Sequence, residues 1–340
     1  MNILITGITG RIGANIARHF LAHGHAVRGF VWPEDRQSAK LRQLGAEIFE
    51  GDLARSADVN AAIAGQEVIL HLGAAFQAGG PFTPEQYIDT NVKGTFNVLQ
   101  AASGLGSSLR HVIVSSTDAT MDKYPEDGIE KPIGIDTLPL DTTGWYGYSK
   151  ILTEHLVDRY VRDEGMPATV FRYSFAFGAG EMLTFPQFHL RTFIDQLEAS
   201  SDPDAPEVLA AMRAAYAGEP HLIVARDRHG RPWKKHTVEV RDIVHAYERA
   251  TGNANTFGKV YQLGSGRPIT WDTVVPYLAE RLGAPCSTFD LPVTPTYYEH
   301  DLSAARRDFG YDPPFSYRQM IDDAVRFARD GASDIIATKL

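Results

Sequence analysis

The apolar run Asn2-Ile3-Leu4-Ile5 ends at Thr6 and passes directly into Gly7-Ile8-Thr9-Gly10-Arg11-Ile12-Gly13. This leaves the chain little freedom: a buried strand must turn at once into a helix. Gly7 permits the tight turn, Gly10 lets the backbone approach a ligand closely, and Gly13 lets the helix pack against the strand. The free N–H groups and positive dipole at the start of that helix then favour an anion such as a pyrophosphate. The spacing is G-x-x-G-x-x-G, and no Gly-Lys-Ser/Thr follows, which argues against a triphosphate P-loop.

Strand and helix signals alternate after this turn. Short β-rich apolar runs lie at 2–6, 26–32, 46–49, 67–72 and 111–116, as buried parallel strands should. Helical patterns fill the gaps at 11–23, 36–44, 56–64 and 84–104. A further helix is predicted from Trp145 to about Asp163, with Asp141-Thr142-Thr143 offering N-cap side chains, and a strand at Ala168–Arg172. This succession predicts an α/β fold, a Rossmann-type doubly wound parallel sheet whose ligands bind beyond the carboxyl ends of the strands. The predicted nucleotide-binding domain is 1–178, with 237–265 returning to it. Residues 179–236 and 266–330 form a smaller, mainly helical C-terminal substrate domain, and the acidic Ser200–Glu207 patch reads as a loop.

Composition narrows the function classes. A 340-residue chain with 44% hydrophobic and 22% charged residues is ordinary for a globular enzyme. The net charge of −9 argues against nucleic acid or an anionic membrane as partner. The single Cys286 excludes an internal disulfide framework and a Cys-rich zinc site. No charged leader with an apolar stretch precedes the first strand, so the expected location is cytoplasmic and the expected partner a small molecule. His19 and His23 are i,i+4 on the first predicted helix. No third ligand is evident in the sequence, so no metal is expected.

Tyr146-Gly147-Tyr148-Ser149-Lys150 carries the chemistry. On a helix Tyr146 and Lys150 share a face. A free tyrosine, with a pKa of about 10, is a poor base at neutral pH. A neighbouring ammonium, together with an oxidised nicotinamide, favours the phenolate and lowers that pKa. Tyr146 can then take a proton from an alcohol or return one to a carbonyl. Tyr148 competes for the role but lies two residues from Lys150 and on another face. The glycine turn and this pair together indicate hydride transfer with a nicotinamide dinucleotide.

The chain resembles the extended short-chain dehydrogenase/reductase family, also called the NAD-dependent epimerase/dehydratase family. Besides the two motifs, the resemblance rests on Gly51-Asp52-Leu53, His71-Leu72-Gly73-Ala74-Ala75, Asn91-Val92-Lys93-Gly94-Thr95, Val114-Ser115-Ser116-Thr117 and Phe171-Arg172-Tyr173. Val238-Glu239-Val240-Arg241-Asp242 and Tyr261-Gln262-Leu263-Gly264-Ser265-Gly266 extend it. It implies a cofactor held by Gly7, Thr9, Gly10, Arg11, Ile12 and Gly13 in the turn, and by Trp32, Arg36, Asp52 and Leu53 towards the adenosine. Leu72, Gly73, Ala74, Ala75, Asn91, Ser115, Tyr146, Lys150 and Tyr173 complete the set. Of the hydroxyls Ser115, Ser116 and Thr117, the resemblance selects Thr117 to hold the substrate oxygen, beside Tyr146 as proton carrier and Lys150. It also implies a homodimer through helices 86–103 and 146–162, with Leu99, Leu152, Leu156 and Tyr160 as apolar contacts.

The departures from the family concern cofactor and substrate. NAD-preferring members carry an Asp at the end of the second strand, where Val31 or Trp32 stands here. Arg28, Arg36 and Lys40 lie nearby, so NADP is favoured over NAD. Ser116-Thr117-Asp118 resembles the sugar-nucleotide dehydratases, but their following Glu is Ala119, leaving Asp118 as a possible acid. An Asn that helps nucleotide-sugar epimerases bind substrate is Phe175, and their Arg is Lys235, a point charge without the bidentate fork. Phe175, Phe177, Met182, Phe185, Phe188 and Trp233 are candidate pocket lining. The preferred reading is an NAD(P)-dependent oxidoreductase acting on a secondary alcohol or ketone. The alternatives are a nucleotide-sugar epimerase that recycles its hydride and a non-catalytic dinucleotide sensor.

Overall fold

A computed structural model of the protein describes residues 1–76 and 80–338. The chain begins β1 (Asn2–Thr6), α1 (Arg11–Ala22), β2 (Ala26–Val31), α2 (Ser38–Leu44), β3 (Glu47–Glu50), α3 (Ser56–Ile63) and β4 (Val68–His71). It continues through α4 (Pro84–Tyr87), a π-helical stretch at Ile88–Lys93 and α5 (Gly94–Ser103) to β5 (His111–Thr117), α6 (Trp145–Glu164) and β6 (Ala168–Tyr173). Next come β7 (Phe175–Phe177), α7 (Leu190–Glu198), α8 (Ala205–Ala215), β8 (Leu222–Arg226), β9 (Lys234–Lys235), β10 (Thr237–Glu239) and α9 (Val240–Ala250). The last elements are β11 (Lys259–Leu263), β12 (Ile269–Thr270), α10 (Trp271–Leu282), β13 (Cys286–Asp290), α11 (Ser303–Phe309) and α12 (Tyr317–Asp330).

Seven strands form one parallel sheet in the order β11-β6-β5-β4-β1-β2-β3. Period-two alternation sends Ile3 and Ile5 to one face, against Ile16 and Phe20 of α1 and Ile243 and Tyr247 of α9. Leu4, Ile69 and Val112 go to the other, against Ala62 of α3, Val98 of α5 and Val157 of α6. With both faces covered, the strands read as nearly continuous apolar runs. Strand order reverses between β4 and β1, and the crevice beyond their carboxyl ends is where a ligand of a doubly wound sheet binds. Among the described residues, no helix is long and apolar enough to cross a membrane.

A second core of aromatic residues, including Phe177, Phe188, Trp233 and Trp271, gathers the later segments. Across 179–236 and 266–330 this part is mainly helical, through α7, α8, α10, α11 and α12, and short strand pairs join it. β7 pairs with β10, β8 with β13, and β9 with β12. Of these, β7, β9, β10 and β12 have only two or three residues, too few to show alternation in sequence.

Three local expectations need correction. α6 is capped by Gly144 with no side-chain cap, and Thr142 Oγ1 accepts from the Gly144 N–H at 3.4 Å instead. The predicted helix at 84–104 is interrupted by the π-helical turn, which carries Asn91. Leu99 and Tyr160, expected to face a second subunit, are 0% and 7% exposed and belong to the chain's own core, so they offer nothing to a partner.

Candidate active site

The glycine turn closes the crevice from the β1 side. Gly7 adopts φ 66°, and a Cβ there would lie 2.7 Å from the Gly73 nitrogen, so the loops after β1 and β4 touch backbone to backbone. A Cβ on Gly13 would lie 2.4 Å from the Gly7 carbonyl oxygen. The Gly73 N–H donates to Thr6 Oγ1 at 2.9 Å, and that hydroxyl lies 2.8 Å from His71 Nδ1. Thr95 Oγ1 gives its one proton to the Asn91 carbonyl at 2.5 Å, so His71 Nε2 donates to it at 3.0 Å and the neutral ring's Nδ1 accepts from Thr6. Burial, reinforced by Lys150, lowers the His71 pKa to about 3, so this ring is neutral and structural. Gly10, at the N-cap of α1, supplies no side-chain cap. The first-turn N–H groups are thus left to a ligand, and the cradle fits a pyrophosphate. Thr9 and Ile12 are half-buried at its rim. The Arg11 guanidinium is held by Glu181 at 3.1 Å and the Ala176 carbonyl at 2.5 Å.

At the far end of the crevice, Val31 is 3% exposed and Trp32 63%, so Trp32 is the residue free to meet a ligand. The basic groups thought to favour a 2′-phosphate are mostly occupied. Arg28 pairs with Glu47 at 3.0 Å and donates to the Ala62 carbonyl at 2.8 Å. Lys40 is buried and donates to the carbonyls of Ala337 and Thr338 at 3.3 and 3.1 Å. Arg36 remains exposed. Asp52 accepts from the Ala54 N–H at 2.8 Å, and Leu53 packs against Gly73 and Gly94. Asn91 is spent internally: its amide bonds the Ala75 N–H at 2.7 Å, the Ala75 carbonyl at 3.1 Å and Ser149 Oγ at 2.8 Å. It therefore pins the Leu72–Ala75 loop to α6 rather than reaching into the crevice.

Thr117 ends β5 with its hydroxyl accepting from the Ala119 N–H at 3.1 Å and near enough to the Tyr146 phenol, in the first turn of α6, to lower the phenol's pKa. The neighbouring candidates separate cleanly. Ser116 points to the opposite face and bonds Glu154 Oε1 at 2.5 Å. Ser115 shares the Thr117 face and is buried. Tyr148 is 45% exposed and packs on Trp145, away from this group. Burial, then the charge of Asp118, pushes the Tyr146 phenol above its ordinary value, and the Thr117 hydroxyl draws it only part of the way back. The lowering expected from Lys150 is absent from the protein alone, which holds Tyr146 as a neutral phenol ready to donate. Lys150 is 2% exposed, and burial lowers its pKa to about 8 against the opposing pull of Glu154.

This buried ammonium has a consequence for stability. Its pKa is below the unfolded value of 10.5, so folding holds the charge at a cost that is full below about pH 8. Between there and 10.5 the unfolded chain keeps a proton that the folded chain releases, and stability rises with pH. Lys150→Met should raise neutral-pH stability by on the order of 3 kcal/mol and flatten this slope, while removing activity. Urea unfolding of both proteins at about pH 7 and about pH 9.5 would check it; an unchanged midpoint would refute the cost.

Asp118 does not behave as the possible acid. It is 6% exposed; burial opposes its charge, but Lys123, His300 and Lys235 outweigh that and hold the carboxyl well below the usual carboxylate range. Lys123 Nζ is 3.2 Å from Oδ1, and His300 Nε2 donates to Oδ2 at 3.2 Å. Asp118 is a fixed anion. Of the predicted pocket lining, Phe175 is 40% exposed, whereas Phe177, Met182, Phe185, Phe188 and Trp233 are buried core. Lys235 is buried over the Phe175 and Phe185 rings, with Gln187 Oε1 at 3.3 Å, and burial lowers its pKa to about 8. Tyr173 directs its hydroxyl to Tyr247 at 2.5 Å and not to a ligand. Sequence reasoning missed Phe76 and Tyr87, whose rings lie 5.5 and 6.2 Å from that of Tyr146, and also Lys123 and His300. The one signal available in the sequence was position, an aromatic Phe76 directly after the His71–Ala75 landmark.

The profile of the NAD dependent epimerase/dehydratase family matches residues 3–264. The chain belongs to this family. Its relatives diverge in chemistry. The 2-alkyl-3-oxoalkanoate reductase of Stenotrophomonas maltophilia is 27% identical, over 94% of this chain and 97% of its own. The UDP-glucose 4-epimerase of Streptomyces lividans is 28% identical, over 74% and 81%. A short-chain dehydrogenase/reductase superfamily protein from Agrobacterium tumefaciens, solved with bound NAD, superposes with a TM-score of 0.81 at 28% identity, covering 97% of this chain and 98% of that one. The family thus contains both net oxidoreductases and epimerases, and NAD is the cofactor seen in the structural relative.

Proposed function

We propose that the protein is an NAD-dependent oxidoreductase that interconverts a secondary alcohol and a ketone on a small substrate, apolar or sugar-derived, and releases the product. The observation that carries this reading is the Thr117–Tyr146 hydroxyl pair, set beside buried Lys150 and flanked by the rings of Phe76 and Tyr87. Bound NAD would supply the hydride acceptor. Thr117 would hold the substrate oxygen, Tyr146 would exchange the proton with it, and Lys150 would bond the ribose. A phenol kept protonated suits carbonyl reduction, in which it gives its proton to the oxygen. Ala119 leaves no side chain for a dehydratase's second proton transfer. Phe175 replaces the amide that helps an epimerase bind its nucleotide.

NAD is preferred over NADP, reversing the sequence expectation, because Arg28 and Lys40 are tied to other groups and only Arg36 could meet a 2′-phosphate. The second reading, an epimerase that recycles its hydride, is favoured by Lys235, a buried cation facing Phe175 that could hold an anionic substrate group. The test offers ketones and alcohols to the purified protein with free NAD, NADP or their reduced forms, and follows the reduced nicotinamide by absorbance. Net cofactor turnover, faster with NAD, is expected. Conversion of a nucleotide sugar to its epimer without net cofactor change would replace this reading by the second.

A further inference from the structure

The His19/His23 pair, set aside for want of a third ligand, acquires one in three dimensions. His19 lies in the last turn of α1 and His23 caps its end, while Glu248 lies in the last turn of α9, which packs beside α1 on the same face of the sheet. The two imidazoles sit 4.1 Å apart, centroid to centroid. His23 Nδ1 bonds the His19 carbonyl at 2.7 Å; a carbonyl only accepts, so the proton is on Nδ1 and Nε2 carries a free lone pair. Histidines that bind metals are oriented in this way, by donating their other ring nitrogen to a carbonyl or carboxylate. His19 Nε2 is 3.8 Å from Glu248 Oε1. One ligand atom from each of the three residues lies within 4.8 Å of the other two. Behind Glu248, His245 Nδ1 is 3.8 Å from its other oxygen.

We propose that His19, His23 and Glu248 form a surface site for a divalent transition-metal ion, zinc in the first instance, that clamps the C-terminal ends of α1 and α9. Two imidazole nitrogens and one carboxylate oxygen, with water completing the tetrahedron, suit zinc. Magnesium and calcium, which take all-oxygen sites, are poorly matched. Ligand atoms about 2.0–2.2 Å from a tetrahedral ion are roughly 3.3–3.6 Å apart, so side-chain tips must close by about 1 Å. His23 and Glu248 are exposed and free to do so. The ion would also face the carbonyl ends of two helices, where positive charge is favoured. The competing cations nearby are engaged: Arg18 donates to the Asp334 carbonyl, and His25 Nδ1 is 3.2 Å from the terminal amine of Met1.

Zinc binding to the full chain, measured by calorimetry with zinc chloride, tests the site without reference to catalysis. One ion per chain is expected, with at least a tenfold loss of affinity in His23→Ala and in Glu248→Gln, both exposed positions that should fold normally. Cys286→Ser, which removes the exposed thiol, should bind like the parent. Saturating zinc should raise the melting temperature of the parent by about 2–5 °C and leave both variants unmoved, while magnesium does nothing. Absence of binding at millimolar zinc, parent-like affinity in either variant, or loss in Cys286→Ser would each overturn the proposal.

Discussion

Replacing Tyr146 by Phe is expected to reduce turnover by at least ~10²–10⁴-fold, the usual contribution of a positioned proton donor or acceptor. NAD binding should be nearly unchanged. The separation follows from geometry: the phenol meets Thr117 at the start of α6, whereas the pyrophosphate cradle is built by Gly7, Gly10 and Gly13 after β1. Ring packing against Phe76 and Tyr87 survives the loss of one oxygen, so stability should change little. Steady-state rates for parent and variant, with NAD affinity from tryptophan quenching, would measure both halves. Substantial activity in the variant would remove Tyr146 from the proton path and turn attention to the hydroxyl of Thr117.

How far the site could be read in the sequence depended on the distance over which its parts communicate. The strand, the glycine turn and the helix are contiguous, and Tyr146 and Lys150 are one helical turn apart, so local spacing carried them. The fate of charged side chains did not show. Lys40 and Arg11 looked free to meet a cofactor. Each is instead held by groups far along the chain: Lys40 by the carbonyls of Ala337 and Thr338, Arg11 by Glu181. Asp118 looked like an acid because spacing did not reveal that Lys123, five residues on, folds back onto it, nor that His300, 182 residues away, donates to it. Asn91 stood in a family landmark, yet only the π-helical turn reveals that it braces the Ala75 loop. The same limit hid Glu248 from the two histidines of α1. Pattern located the motifs, and long-range packing decided which of their side chains are available.

Arg172 illustrates the point with a large stability effect. It was visible only as part of Phe171-Arg172-Tyr173, with no role attached. In the structure it makes a forked pair with Glu154 of α6, Nε at 3.0 and 3.1 Å and Nη2 at 2.7 Å, with side chains 4% and 5% exposed. Ser116 of β5 bonds the same carboxylate, so one ion pair ties β5, β6 and the helix bearing Tyr146 and Lys150. Arg172→Met would leave Glu154 buried with the Ser116 hydroxyl and only the charge of Lys150, one helical turn away, in place of its forked partner, which should cost about 3–5 kcal/mol. Chemical unfolding at neutral pH would register this as a marked fall in midpoint. The pH dependence gives a second, more specific signature. An unpaired buried carboxyl has a raised pKa, so the folded variant takes up a proton before the unfolded chain does, and stability is recovered as pH falls. The deficit relative to the parent should therefore shrink on mild acidification. A deficit that stayed constant with pH would mean that lost packing of the arginine stem, and not the stranded charge of Glu154, accounts for the effect.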